Sequence, residues 1–416
     1  MCFLFRKYTH LSVILQISLQ ITKRIRIFAP TKIIKNTPNM TRKKYFLLAL
    51  IAICCIMASC GNTSTPAEQK EGFKIKRGTN LSHWLSQSEA RGEERRLHIQ
   101  EDDFARLDSL GFDHVRIPID EEQFWDEQGN KLPEAWGLLR NALDLARKYN
   151  IRAIVDLHII RAHYFNAGNE GGHNTLFTDE KAQQGLINLW SQLQDSLSGY
   201  STDWVAYEFM NEPTAEKHEQ WNDLVAKVHK AIRAREPERT LVIGSNLWQG
   251  VGTFKFLKVP ENDKNLILSF HYYNPMIVTH YGAWWTNIKD YTGKVTYPGI
   301  PISQEDFAAA PDSVKPFIEQ YTKEEWNRDR IYNEMKDAID VAAKYGLQLF
   351  CGEWGVYCPV DRELAYAWTK DMLSVFDQFN VAWTTWCYDA DFGFWDQEKH
   401  TFKDKPLAEM LGGKKK

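Results

Sequence analysis

Eight strand-like segments alternate with helical patterns along the 416-residue chain, and this alternation limits the fold more than any other feature. The strand candidates are Lys74–Asn80, His114–Ile119, Ala153–His158, Val205–Asn211, Leu241–Ser245, Leu266–Tyr273, Gln348–Glu353 and Val381–Trp386. Between most of them, apolar residues recur at spacings of three and four, which predicts amphipathic helices. These are Glu101–Leu110, Leu138–Tyr149, Lys181–Leu197, Trp221–Arg235, Asp329–Tyr345 and Asp361–Phe379. The connection around Phe254–Asn265 is the weakest helical pattern. Such an alternation argues a parallel sheet covered by helices. Eight repeats suit an α/β fold of the (β/α)8 TIM barrel type, a single domain of typically ~250 residues plus loop insertions. An open doubly wound sheet is the alternative. No glycine-rich phosphate turn follows the first strand, which weakens its nucleotide-binding version.

The N-terminal part reads as an address. Arg42, Lys43 and Lys44 precede an apolar run from Tyr45 to Ala58, which ends in Met57-Ala58-Ser59-Cys60-Gly61. The run is short for a spanning helix and right for a signal-peptide core. Small residues before Cys60 resemble a bacterial lipobox. That resemblance implies cleavage before Cys60 and lipidation of its thiol, so the membrane is met through lipidated Cys60 only. The expected location is the cell envelope, with a secreted or periplasmic protein as the alternative. The domain plan is a leader at 1–39, which an overextended start explains, a lipoprotein signal at 40–59, a polar tether at 60–73 and a barrel at 74–416.

Charge divides at the same place. Residues 1–59 hold ten basic and no acidic side chains; the remainder carries 41 basic against 54 acidic, a net of −13. That sign repels phosphate backbones and excludes nucleic acid as a partner. Only Cys351, Cys358 and Cys387 lie in the barrel, too few for a disulfide framework.

Active sites of such barrels lie at the C-terminal ends of the strands. Those ends read Asn80, Arg116, His158, Asn211-Glu212, Asn246, His271 with Tyr273, Glu353 and Trp386. A polar or aromatic residue ends nearly every strand, although any one alone would read as a cap or a loop residue. Side chains two apart share a face of a strand. Ile154, Asp156 and His158 should therefore point together, as should Ser269, His271 and Tyr273, and Leu349, Cys351 and Glu353.

In order along the chain stand "VRIP" (115–118), "DLH" (156–158), "NEP" (211–213), "HYY" (271–273), "GEWG" (352–355) and "WTTW" (383–386). This ordered set resembles glycoside hydrolase family 5, the cellulase family, over about Arg77 to Asp389. The resemblance implies a retaining β-glycosidase in which Glu212 is the general acid/base and Glu353 the nucleophile. It implies that Arg116 keeps Glu353 ionised and that Tyr273 orients it. Asn211 would hold the sugar 2-hydroxyl, His158 and His271 would surround the reacting sugar, and Trp386 would form the aromatic floor beneath it. No cofactor is expected. The substrate would be a β-linked polysaccharide or oligosaccharide, foremost a β-1,4-glucan cut internally. β-Mannan, xyloglucan and mixed-linkage glucan are alternatives, and a glycan-binding lipoprotein without activity is the alternative of another class.

His158, His163 and His173 match no standard zinc spacing, and no catalytic metal is expected. The long loop after the sixth strand offers Trp284, Trp285 or Tyr281 as a sugar-stacking platform, or else folds over its own apolar cluster. Trp125 and Trp248 are weaker candidates of the same kind. His83 and Trp84 have no assigned role.

Overall fold

The computed structural model describes residues 72–167 and 174–413. The leader, the signal, Cys60 and most of the tether lie outside these residues, as does His173. Eight parallel strands close into a barrel in chain order. They are β1 (Arg77–Asn80), β2 (His114–Asp120), β3 (Arg152–Ile159), β4 (Val205–Glu208), β5 (Leu241–Gly244), β6 (Leu266–His271), β7 (Gln348–Glu353) and β8 (Ala382–Thr385). β8 pairs back onto β1 through Gly78 and Thr384, so no edge remains. Among the described residues no helix is long and apolar enough to cross a membrane.

The main outer helices are α1 (Glu101–Leu110), α2 (Pro133–Lys148), α3 (Glu180–Leu197), α4 (His218–Arg233), α5 (Arg328–Tyr345) and α6 (Arg362–Phe379). Their starts follow local chemistry. Asp179, Asn327 and Asp361 each accept a hydrogen bond from a first-turn amide of α3, α5 and α6. Helix α1 ends at Gly111, which is left-handed with φ 85°; a Cβ there would also strike the Gly413 carbonyl.

The Phe254–Asn265 pattern does not form an α-helix. A 3-10 turn at Val251–Phe256 takes its place and Leu257 is extended. Pro260 follows closely; it lacks an amide donor and biases Val259 away from helical geometry.

The barrel interior has an apolar floor of Ile154, Ala206, Val242, Ile267, Phe350 and Ala382, sealed by Phe73 and Ile75. Two residues further along β3 and β4, Asp156 and Glu208 stand side by side and fully buried. The floor is thus oil and the layer above it is charge.

On β7 the expected alternation fails. Phe350 points into the barrel floor, whereas Leu349 and Cys351 pack in the outer core toward the helices. An irregularity opposite Phe270 and His271 then skips one residue, so that His271 pairs with Glu353. This bulge restores Glu353 to the inner face. Gly352 fills the skipped position, where a Cβ would lie 3.0 Å from Ser269 Oγ and 3.1 Å from His271 Nε2.

Candidate active site

Arg116 on β2 organises the charged layer. Its side chain is fully buried and all five N–H donors are used. Nε donates to Glu208 Oε2 at 2.7 Å. Nη1 donates to Asn80 Oδ1 at 3.0 Å and to Glu353 Oε1 at 2.9 Å. Nη2 donates to Asn211 Oδ1 at 2.9 Å and to Glu208 Oε1 at 3.3 Å, and forms an ion pair with Asp156 Oδ2 at 2.9 Å. The surrounding carboxylates outweigh burial and hold the guanidinium charged.

Glu353 also accepts a hydrogen bond from the Tyr273 hydroxyl at 3.1 Å. Glu212 lies across from it with no contact to Arg116; its Oε1 shares a 2.8 Å hydrogen bond with His271 Nδ1. That nitrogen is 3.6 Å from Glu353 Oε2. One oxygen of each carboxyl and this ring nitrogen all lie within 4.8 Å of one another.

The two carboxyls have different surroundings, and this sets their protonation. Burial raises Glu212 well above the ordinary range, and the charge of Glu353 raises it further. Burial raises Glu353 too, but Arg116 opposes that rise by direct contact. The pair's proton therefore resides on Glu212. Burial holds His271 well below its usual value, so it is neutral.

Backbone geometry aims the acid. β4 ends at Glu208, three residues earlier than the sequence pattern suggests. Glu212 then takes φ 42°, a left-handed conformation that non-glycine residues seldom adopt and that recurs at functional sites. Asn211 just before it has a buried Nδ2 with no protein partner. A donor buried without an acceptor is costly, and a sugar hydroxyl would relieve that cost.

His158 stands at the rim of the charged layer with Trp386. The two rings are parallel within 7°, with centroids 5.6 Å apart. His158 Nδ1 lies 2.7 Å from Asp156 Oδ2, and Gln87 Nε2 lies 3.0 Å from His158 Nε2. Burial lowers His158 to about 4, so its neutral ring donates to Asp156 and accepts from Gln87. Burial also raises Asp156 to about 7 against the pull of Arg116. His83, unassigned from sequence, sits with its ring centroid 5.7 Å from that of Trp386.

The structure thus brings Arg116, His158, Asn211, Glu212, His271, Tyr273, Glu353 and Trp386 into one connected site. It separates others. Asn246 braces the loop after β4 by two hydrogen bonds to the Ala215 backbone, at 2.9 and 2.8 Å. His163 is buried against Thr214 and Phe177. Trp84 and Trp125 are core residues whose indole N–H groups bind Arg95 O and Gln192 Oε1. Among the described residues, the group with metal-ligand spacing is Glu212, His271 and Glu353 themselves.

Sequence reading set Asn80 at a strand end without giving it a role, and missed Glu208 and Gln249 as supports of the site. Asn80 Nδ2 also donates to Gly352 O and Thr385 O, tying β1 to β7 and β8. Gln249 Nε2 donates to Glu208 Oε1 at 3.1 Å. The available signal was Glu208 itself, a lone charge inside the apolar run Val205–Met210.

Residues 69–392 match the family model for cellulase, glycosyl hydrolase family 5. The chain belongs to glycoside hydrolase family 5. It is therefore a hydrolase of O-glycosyl bonds, and family 5 enzymes act with retention. Endoglucanase C of Acetivibrio thermocellus is 28% identical over 342 residues, covering 81% of this chain and 96% of that protein. Cellodextrinase A of Ruminococcus flavefaciens is 29% identical over 310 residues, covering 74% and 84%. Among solved structures, an endoglucanase superposes with a TM-score of 0.66 at 26% identity, covering 82% of this chain and 97% of its own. Cel5A of Thermotoga maritima shares the family 5 fold at a TM-score of 0.64 and 24% identity, covering 81% and 96%.

Proposed function

We propose that this family 5 protein is an endo-acting β-1,4-glucanase that works by double displacement through Glu353 and Glu212. The observation that carries the reading is the pair's geometry: two carboxyls with oxygens within 4.8 Å, only one of which touches Arg116. Retaining enzymes hold their carboxyls about 5–5.5 Å apart, and inverting ones about 6.5–9.5 Å.

Ionised Glu353 attacks the anomeric carbon while Glu212 gives its proton to the leaving glycosidic oxygen. The C–O bond breaks and a glycosyl ester forms on Glu353. Water then enters, gives a proton to Glu212, and its oxygen displaces Glu353 from the same carbon. The product keeps the β configuration and both side chains return to their starting states. Asn211 Nδ2 is the donor for the sugar 2-hydroxyl, a contact that strengthens in the transition state. Trp386 and His158 form the surface beneath that sugar.

The names endoglucanase and cellodextrinase borne by the relatives support a β-1,4-glucan substrate. Incubation with cellulose derivatives, mixed-linkage glucan, xyloglucan and β-mannan, read as released reducing ends, tests this. Highest turnover on a polymer other than β-1,4-glucan would overturn the substrate.

We also propose that lipidated Cys60 tethers the barrel to the cell envelope. The basic start, the apolar run and the small residues before Cys60 support this. Metabolic labelling with a radioactive fatty acid, lost on Cys60→Ser, would support it; an unlabelled, released wild-type protein would refute it.

A further inference from the structure

Trp248 and Trp284 both reach solvent, at 46% and 72% exposure. The indole N–H of Trp248 is nevertheless bonded, because it donates to Phe165 O at 3.0 Å. That bond belongs to a larger feature, the turn that follows β5. Leu247, Trp248 and Gln249 take φ of 58°, 59° and 54° in succession. A Cβ disfavours this left-handed conformation, and residues other than glycine visit it singly, not in runs. Three in a row persist only where the surroundings over-determine them.

The surroundings here are the two flanks of Glu212, itself left-handed at φ 42°. Before it in the chain, Glu208 Oε1 accepts from Gln249 Nε2 at 3.1 Å. After it, Pro213 O accepts from the Trp248 amide at 3.2 Å. Two residues further on, buried Asn246 accepts from Ala215 N at 2.9 Å and donates to Ala215 O at 2.8 Å. One side chain thus fixes both backbone groups of Ala215. Gly250, just past the turn, forms a parallel backbone bridge with His271, the imidazole partner of Glu212.

The local sequence is fitted to hold this shape. Ser245 Oγ donates to Gly250 O at 3.0 Å and Thr253 Oγ1 donates to Asn246 O at 2.6 Å, which ties the ends of the turn together. Gly244 makes room for the Gln249 side chain, since a Cβ there would lie 2.5 Å from Gln249 Cγ. Asn246 grips the backbone and leaves the Glu212 carboxyl to His271.

We propose that Asn246 and the left-handed turn behind it are a positioning clamp for the acid/base. They hold the chain on both sides of Glu212 so that its proton meets the leaving glycosidic oxygen. The proposal rests on the role of Glu212 inferred above. Proton transfer needs hydrogen-bond reach between the acid and that oxygen, and small misplacements are costly. Attack by Glu353 does not depend on the clamp, because Arg116 and Tyr273 hold that carboxylate. Loss of the clamp therefore weakens protonation and spares attack.

A series of aryl β-cellobiosides separates the two. kcat/KM is measured against leaving-group pKa, from dinitrophenol to phenol. Asn246→Ala should lose about ten-fold or more on the phenyl substrate and less than about three-fold on the dinitrophenyl one, which steepens the slope. Trp248→Gly is the second variant. Its side chain lies at the surface and glycine adopts this φ without strain, so the fold is kept while the turn loosens and loses its anchor on Phe165. Its slope should steepen in the same direction, by less, and it alone decides if Asn246→Ala does not fold. An unchanged slope in the folded variants, or an equal loss on every leaving group, overturns the clamp. Glu212→Ala is the control for the reading beneath it. If wild type hydrolyses the series and Glu212→Ala does not steepen the slope, the acid role falls and the clamp with it; a wild type inert toward the whole series overturns the inferred function.

Discussion

Arg116 Nη1 donates to Glu353 Oε1 at 2.9 Å and makes no contact with Glu212. One buried cation, together with the Tyr273 hydroxyl that donates to Glu353 Oε2, thus distinguishes two carboxyls that otherwise share burial and a neighbouring imidazole. Arg116 is the largest contribution to the difference in charge state that retaining chemistry needs.

Arg116→Gln should move the acid limb of the pH–rate profile upward. Glu353 must be ionised to attack. Removing the cation leaves burial unopposed, its pKa rises, and activity is lost at a higher pH as the solution is acidified. A shift of about one unit or more is expected in kcat/KM for an aryl β-cellobioside, together with a lower kcat.

Glu212→Ala should separate substrates by leaving group. Cellooligosaccharides need protonation of the departing oxygen, so their kcat/KM should fall about 10²–10⁴-fold. A dinitrophenyl cellobioside departs without a proton and should lose less in its first, glycosylation step. The alkaline limb, which in wild type reports deprotonation of the raised Glu212 carboxyl as pH increases, should disappear.

Glu208 bears on stability more than on chemistry. It accepts from Arg116 Nε at 2.7 Å, from Arg116 Nη2 at 3.3 Å and from Gln249 at 3.1 Å. Glu208→Ala leaves those buried donors unpaired and should cost about 3–5 kcal/mol. Urea unfolding measures it. Gln249→Ala removes only a neutral donor and should cost about 1 kcal/mol.

Asp156 should make stability depend on pH. Burial lifts its folded pKa to about 7, above that of an unfolded aspartate. A raised carboxyl stabilises the fold fully below the unfolded pKa, and that contribution is lost as pH rises toward 7. Across that window, Asp156→Asn should remove a downward slope of up to about 1.4 kcal/mol per pH unit. Thermal unfolding at several pH values reads the slope.

Much of this was legible in the sequence, for physical reasons that also mark its limits. Apolar runs bounded by turns reveal strands, so all eight barrel strands were found. Their C-terminal ends carry the polar residues that meet at the site. The inward face of β7 was misread because simple alternation cannot register the skipped residue at Gly352. The helix expected after β5 failed where Pro260 withholds a donor. Glu208 went unnoticed because its partner Arg116 is distant in the chain. Whether Trp125 or Trp284 meets solvent depends on tertiary packing, which residue type alone does not encode.

The most direct test uses a 2-deoxy-2-fluoro cellobioside with a good leaving group, which traps a glycosyl ester because its deglycosylation is slow. Mass spectrometry of the inactivated protein should show one added disaccharide, on the peptide containing Glu353 and on that side chain. An adduct on Glu212 would contradict the assignment of roles. Steady hydrolysis of cellooligosaccharides to α-configured products, with no adduct at all, would contradict double displacement.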